Sequence, residues 1–362
     1  MSRLELGLFL PNTSGGTVIG SVPAPANRPH FSTLAAITQA AEAADFDFVL
    51  SQVKWRGFGG ATGHWDYSLE SFTLTAALAA VTKRIRLFAS VGVRAAHPVV
   101  TAKMAATIDD IAPGRFGVNI VAGWNRFEYE QMGLWPEGGI HIDRYAYAEE
   151  FYLVMRQLWE TGRADFDGRF FHVDDCAGLP MPKGGRVPIV CAGQSPEAIA
   201  FTARHGDFAF VGRMKDDAAA LGELAGRITA AAEAEGRQVG SHVLVTIVQG
   251  SDDADALRRR DALVAQVDHA AIAGWMAASG QDPGRVGYDT LPLMQRTFMG
   301  MHLIVGGPET IAARLDAFAD LGLQGACLVF PDFAPDLDQF IADVLPLMRT
   351  RAPAALPVES HP

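Results

Sequence analysis

Residues 85–121, IRLFASVGVRAAHPVVTAKMAATIDDIAPGRFGVNIV, decide the fold. Ile85–Val91 and Phe116–Val121 are short, nearly continuous apolar runs, the pattern of strands covered on both faces. Between them Val100, Met104, Thr107, Ile108 and Ile111 recur at helical spacing, in a segment that opens at Pro98 and closes before Pro113-Gly114. Strand, helix, strand is the crossover unit of a parallel sheet.

The same alternation continues outward. Further strand-like runs are Leu4–Leu10, Phe46–Leu50, Ile189–Cys191, Phe208–Val211, Val243–Val248 and Ala326–Phe330. Ala148, Phe151, Tyr152, Met155, Leu158 and Trp159 make a second helical stripe; Ile311, Leu315, Phe318 and Leu321 make a third, from Pro308 to Gly322. Eight runs with helices between them predict an α/β fold, a (β/α)8 TIM barrel. The 362 residues then read as one barrel domain over 1–350, with insertions at about 160–186 and 271–301 and a flexible tail at 351–362. The rival, an open doubly wound sheet, lacks its dinucleotide fingerprint: Leu10 runs into Pro11-Asn12-Thr13-Ser14-Gly15-Gly16. The nearest match, Gly57-Phe58-Gly59-Gly60-Ala61-Thr62, ends in Thr and reads as a glycine loop.

Composition removes several classes of function. Lys and Arg number 30 against 41 Asp and Glu, a net charge of −11 with no basic cluster, which argues against nucleic acid and anionic membrane surfaces as partners. No window approaches the ~18 apolar residues of a membrane-spanning helix. The apolar run near the start is cut by Pro11 and Asn12, and reads as a buried first strand rather than a signal peptide. Cys176, Cys191 and Cys327 are too few and too scattered for a disulfide framework or a zinc site, which fits a reducing, cytoplasmic setting. His64 and Asp66 come nearest to metal-ligand spacing and read better as a structural hydrogen-bonded pair, so no metal is expected. Cys191, at a strand end, reads as a small buried hydrophobe ahead of a thiolate nucleophile.

In a barrel the chemistry sits at the C-terminal ends of the strands. Four clusters meet that condition: Leu50–Gly60 with His64-Trp65-Asp66, Ser90 through Arg94 to His97, Asn119–Trp124 with Glu128-Tyr129-Glu130, and Cys191–Glu197. Ser195-Pro196-Glu197 is a helix start, with Ser as N-cap and Pro at the first position, so its free backbone N–H groups can receive a phosphate. Arg144 opens another helix against its dipole; it is either an anion ligand or a surface charge paired with Glu149 or Glu150. A barrel with an anion site and no obvious acid–base pair or metal points to chemistry borrowed from an organic cofactor.

The stretches FDFVLSQVKWRGFGG (46–60), HWDYSLESFTLTAALAAVTKRIRL (64–87), AAHPVVTAKMAATIDDIAPGRFGVNIVAGW (95–124), EYEQMGLWP (128–136) and CAGQS (191–195), in that order, resemble the bacterial luciferase-like flavin monooxygenases, most of all the members that oxygenate pyrimidines. The resemblance runs from about Leu6 to Met348. It implies a TIM barrel that uses reduced FMN and dioxygen, with NADH or NADPH acting only through a separate flavin reductase. It places Val53, Lys54, Asn119 and Glu128 along the flavin, and Arg144, Tyr145 and Ser195 at its phosphate. Leu50, Ser90, Asn119 and Trp124 would form the dioxygen pocket, with Ser90 standing where the similar proteins carry Thr. The implied reaction is oxygenation through a flavin peroxide that cleaves an amide-type C–N bond in a uracil-like ring or related N-heterocycle. A homo-oligomer, dimer or tetramer, is implied as well.

The chain departs from the pattern it resembles in Asn12–His30, in Val91–Pro98, and in Val211-Gly212-Arg213-Met214-Lys215. Arg94 and His97 either read a further carbonyl or carboxylate on the substrate, or serve as a surface charge and a helix N-cap. Three alternatives share the barrel: a monooxygenase of sulfones or alkanesulfonates, a deazaflavin-dependent oxidoreductase, and a non-enzymatic flavin-binding accessory protein.

Overall fold

β-Branched and aromatic runs too short for helices become the staves of a closed barrel. The computed structural model of the chain describes residues 2–20, 28–136, 143–212, 218–280 and 290–351. The first half alternates β1 (Glu5–Phe9), α1 (Phe31–Ala43), β2 (Phe48–Ser51), α2 (Ser71–Val81), β3 (Arg86–Gly92), α3 (Pro98–Ile111) and β4 (Phe116–Val121). Then come the short α4 (Arg126–Glu130), the long α5 (Arg144–Thr161), and a hairpin of β5 (Arg163–Asp167) and β6 (His172–Ala177). The alternation resumes with β7 (Ile189–Ala192), α6 (Pro196–His205), β8 (Phe208–Val211), α7 (Ala218–Ala234) and β9 (Gly240–Gln249). The chain continues through α8 (Asp253–Ala265), α9 (His269–Ser279), α10 (Leu293–Thr297) and β10 (His302–Gly306). It ends with α11 (Pro308–Asp320), β11 (Gly325–Val329) and α12 (Phe333–Gln339).

The eight predicted strands pair in parallel in the order β1-β2-β3-β4-β7-β8-β9-β11, and β11 returns to β1 to close the barrel. Two features were not foreseen. Val245 and Thr246 of β9 pair with β11 and β10 at once, so β10 takes over the edge that β8 leaves at Val243. The segment 160–186, read as a break, holds the antiparallel β5–β6 hairpin; its mostly exposed, charged residues mask the alternation. Arg351, placed at the head of the flexible tail, is instead held by Asp47 (2.6 Å) and the carbonyl of Leu4 (3.2 Å). Residues 352–362 lie outside the described residues, as do Arg213, Met214 and Lys215.

α3 exists as predicted, but its buried face differs from the stripe read in the sequence. Thr101, Ala102, Ala105, Ala106, Ile108 and Asp109 point inward, while Val100 and Ile111 are exposed. Small side chains let α3 approach α5 closely enough for Trp159 Nε1 to donate to the carbonyl of Ala102 (3.1 Å). Close approach, not bulk, selects the inner face here.

Rings fill the barrel interior. Phe48, Leu50, Phe88, Val190 and Cys327 form one buried cluster with Phe9, Phe208, Phe210 and Leu244. Phe88 packs edge-on against Phe48 and Phe208, with centroids 5.8 Å apart in both pairs. Glycine is required opposite these rings: a Cβ on Gly7 would lie 2.2 Å from Phe48, and one on Gly117 would lie 2.4 Å from Phe88. At the N-terminal end Glu5 accepts hydrogen bonds from Arg86 and His242, each at 2.8 Å.

Burial pushes the Glu5 carboxyl up, but the hydrogen bonds and charges of His242 and Arg86 outweigh it and hold it at about 2, below its ordinary 4.5. A carboxylate depressed in the fold contributes stability that is present above the unfolded value and lost as pH falls through the folded one. Glu5→Gln is expected to lower stability at pH 7 by about 3 kcal/mol and to flatten the acid limb between pH 4.5 and 2. Urea denaturation across that range checks it; an unchanged acid limb contradicts it.

Candidate active site

A chain of hydroxyl groups binds the C-terminal ends of β2, β3 and β4. Ser71, at the start of α2, donates to the carbonyl of Ser51 (3.0 Å) and accepts the N–H of Ser90 (2.8 Å). The Ser90 hydroxyl donates to the same carbonyl of Ser51 (2.7 Å), which spends its single proton. It must therefore accept from Asn119, whose Nδ2 lies 2.8 Å away. That fixes the amide: Nδ2 faces Ser90, and Oδ1 faces away, buried and without a hydrogen-bond partner. Ser90 and Asn119 are paired in register and follow Phe88 and Gly117 by one strand period, so both project into the barrel above the ring layer. Leu50, fully buried, belongs to that ring layer.

The loops after β2 and β4 are joined by a buried ion pair. Lys54 Nζ lies 3.0 Å from Glu128 Oε2, and both side chains are almost wholly buried. Glu128 Oε1 also accepts the N–H of Trp55. The Lys54 ammonium sits over the rings of Trp124 (4.9 Å), Phe58 (5.2 Å) and Trp65 (5.3 Å), an aromatic cage. Trp275, Ile272 and Met299, from the long segment between β9 and β10, pack against the same cluster. Val53, beside Lys54, is half-buried.

His64 is stacked on Trp65 and Phe58 (5.7 and 6.2 Å between centroids) and is not bonded to Asp66, contrary to the expectation from spacing. Asp66 instead accepts from the N–H of Gly59 (3.2 Å). Burial pulls the His64 imidazole down to about 3, with the charge of Asp268 opposing and that of Lys54 assisting, so it stays neutral. Asp268 receives the N–H and hydroxyl of Thr62 (2.9 Å each), a tie across most of the chain that commits the glycine loop to this scaffold.

The third corner joins the start of α5 to the start of α6. Ser195 caps α6, its Oγ accepting the N–H of Ala198 (3.2 Å), with Pro196 next, as the sequence predicts. A Cβ on Gly193 would lie 2.2 Å from the Tyr145 hydroxyl, so Tyr145 rests directly on the backbone leading to that cap. The Arg144 guanidinium lies near the Tyr145 ring (5.4 Å) and reaches the carbonyl of Gly123 (3.5 Å). Neither carboxylate proposed to neutralise it does so. Glu149 binds Arg204 and His205, and Glu150 accepts the N–H groups of Arg169, Phe170 and Phe171. Arg144, Tyr145 and Ser195 are thus one corner. Cys191 is buried, and burial pushes its thiol up to about 12, which leaves it a core residue.

Sequence reasoning placed Ser51, Phe58 and Trp65 in a strand-end cluster without giving them a role, and it missed Ser71 and Thr75 beneath Ser90 and Asp268 at the mouth. Small hydroxyls on a strand end and a helix carry no periodic signal, and Asp268 is remote in the chain.

A plugged barrel whose C-terminal mouth carries an oriented amide, an aromatic cage and a cationic corner at a helix start is built for an organic cofactor. Residues 4–325 match the family of luciferase-like monooxygenases. Pyrimidine monooxygenase RutA of Caulobacter sp. (strain K31) is 41% identical over 356 residues, covering 96% of this chain and 99% of that protein. RutA of Escherichia coli O127:H6 is 41% identical over 358 residues, covering 96% and 97%. Among solved structures, riboflavin lyase (RcaE) with modified FMN and riboflavin superposes with a TM-score of 0.86 at 21% identity, covering 97% of this chain and 92% of that one; it shows the shared fold. The chain belongs to the luciferase-like monooxygenase family and is a flavin-dependent monooxygenase, using reduced flavin and dioxygen.

Removing one partner of a buried ion pair leaves the other charge uncompensated, which costs about 3–5 kcal/mol. Glu128→Gln is expected to destabilise by about that amount, and Lys54→Met with Glu128→Leu to recover most of it. Denaturant melts of the single and double variants check this; a double variant as weak as the single contradicts it.

Proposed function

We propose that this chain is the oxygenase of a two-component system that uses reduced FMN and dioxygen to cleave an amide-type C–N bond in a pyrimidine, uracil-like, or related N-heterocycle. The observation that carries the reading is the buried Asn119 amide, held by Ser90 with its Oδ1 unpartnered at the barrel mouth. An unpaired buried acceptor costs about 1–3 kcal/mol, and a flat heterocycle with N–H edges satisfies it. The two pyrimidine monooxygenases at 41% identity over nearly their whole length support the substrate class.

The residues fit FMN. Arg144, Tyr145 and the Ser195 cap form a phosphate corner, where helix N–H groups and a cation act together. Val53 and Trp124 would flank the ring, and Lys54 and Glu128 would hold the loop beneath it. Bound reduced FMN would supply the electrons that activate dioxygen. The chain's own work is to orient and to keep water out. Leu50 and the ring layer close the floor, Phe58 and Trp65 the side, and Asn119, oriented by Ser90, offers its Oδ1 as a fixed acceptor to a ring N–H of the substrate. No general base is needed in that arrangement, and the neutral His64 is walled off behind rings.

Reduction of FMN by NADH or NADPH would fall to a separate flavin reductase, as the likeness to the two-component flavin monooxygenases implies. The working protein is a cytoplasmic homo-oligomer, dimer or tetramer. Exposed Val100 and Ile111 on α3, with Leu179 tied to Lys103 of the same helix, supply an apolar face for the contact between copies.

Supplied with reduced FMN and oxygen, the protein is expected to convert uracil or thymine to a ring-opened oxygenated product seen by mass spectrometry; rings left intact overturn the substrate assignment. Asn119→Ala and Trp124→Phe should each lower turnover more than flavin affinity, and equal losses would remove them from the reacting centre. Arg144→Ala should weaken FMN relative to riboflavin by roughly 10- to 100-fold, the measure of a charge-assisted hydrogen bond. An unchanged FMN-to-riboflavin ratio excludes the phosphate corner.

A further inference from the structure

Arg94 stands just past the end of β3, in the turn closed by the Ala95 N–H on the carbonyl of Gly92 (2.9 Å). Its guanidinium lies over the Tyr147 ring, 3.9 Å from the centroid. Its Nε is buried and has no hydrogen-bond partner. Among the described residues no carboxylate pairs with it. Asp143, whose charge reaches Arg94, is held by Arg169 in a two-pronged bridge of 2.7 and 3.0 Å.

The surroundings belong to the mouth. Gly92 pairs with Val121 one strand period beyond the Ser90–Asn119 pair. A Cβ on Gly92 would lie 3.0 Å from the Tyr129 hydroxyl, which places that phenol at the same strand end. Tyr147 lies on the first turn of α5, next to Arg144 and Tyr145. Burial raises both Tyr129 and Tyr147, so both remain O–H donors. His97 plays no such part: its Nδ1 accepts the N–H of Val99 (3.3 Å) and caps α3.

We propose that Arg94, with Tyr129 and Tyr147, is a carboxylate-binding subsite, and that the substrate is a heterocycle bearing a carboxylate. A guanidinium stacked on an aromatic face keeps its N–H donors in its own plane, where they match the two oxygens of a carboxylate. A neutral ring leaves those donors unpaired, and a site built to pair a group discriminates against the analogue that lacks it. The ring class rests on the pyrimidine reading above; the subsite rests on Arg94 and the two phenols beside it.

The test is equilibrium binding to the protein loaded with oxidised FMN, read by calorimetry, so that it does not depend on turnover. The probes pair neutral rings with their carboxylates: uracil with orotate and uracil-5-carboxylate, and nicotinamide with nicotinate. In the unmodified protein at least one carboxylate is expected to bind 10-fold or more tighter than its neutral partner, roughly one charge-assisted pair. Arg94→Gln should abolish that preference and Arg94→Lys should keep part of it. Uracil binding without a carboxylate preference, or a preference that survives Arg94→Gln, overturns the subsite and leaves the pyrimidine reading standing. A preference seen only for nicotinate keeps the subsite and overturns the pyrimidine reading; no binding by any probe overturns both.

Discussion

The mouth of this barrel depends on one buried ion pair. Lys54 comes from the loop after β2 and Glu128 from the short α4 after β4, and their 3.0 Å contact pins those two segments together. The ammonium then gathers Phe58, Trp65 and Trp124 around it, and the segment between β9 and β10 packs on that cluster. Two desolvated charges are costly unless paired and hydrogen-bonded, and Glu128 meets the condition by also accepting the Trp55 N–H. The aromatic wall is thus built around a charge, and the ring-filled barrel beneath leaves it one direction to face.

Charge placement separates structure from binding. Glu5, Arg86 and His242 neutralise one another at the N-terminal end, and Arg351 is tied to Asp47 nearby. At the mouth, Arg144 is not taken by the acidic residues that share its helix, and Arg94 is stacked on a phenol. A chain with a net charge of −11 still carries Arg94 and Arg144 at the mouth, and the field there is set within a Debye length of about 10 Å.

Much of the barrel is legible in the sequence because period and length are local signals. The apolar runs became β1, β2, β3, β4, β7, β8, β9 and β11, and the Ser195-Pro196 start became the cap of α6. β10 escaped notice because its run, HLIVG, directly follows the irregular segment 271–301 and pairs with the far half of β9. The inner face of α3 was misjudged because hydrophobicity was counted where closeness decides. Within the candidate site, the sequence proposes Asn119 by motif and Arg144 by helix position. Nothing local tells that Ser90 spends its proton on Ser51 and so orients Asn119, or that His64 leaves Asp66 to stack on Trp65. Those are contacts between loops, and they exist only once the barrel has closed.

A crystal structure of the chain with FMN tests the central claim most directly. The account predicts the phosphate within hydrogen-bond distance of Arg144 and the Ser195 helix start, with Asn119 Oδ1 accepting a hydrogen bond from a bound heterocycle. A flavin bound elsewhere, or one that leaves Arg144 and Asn119 untouched, would contradict it.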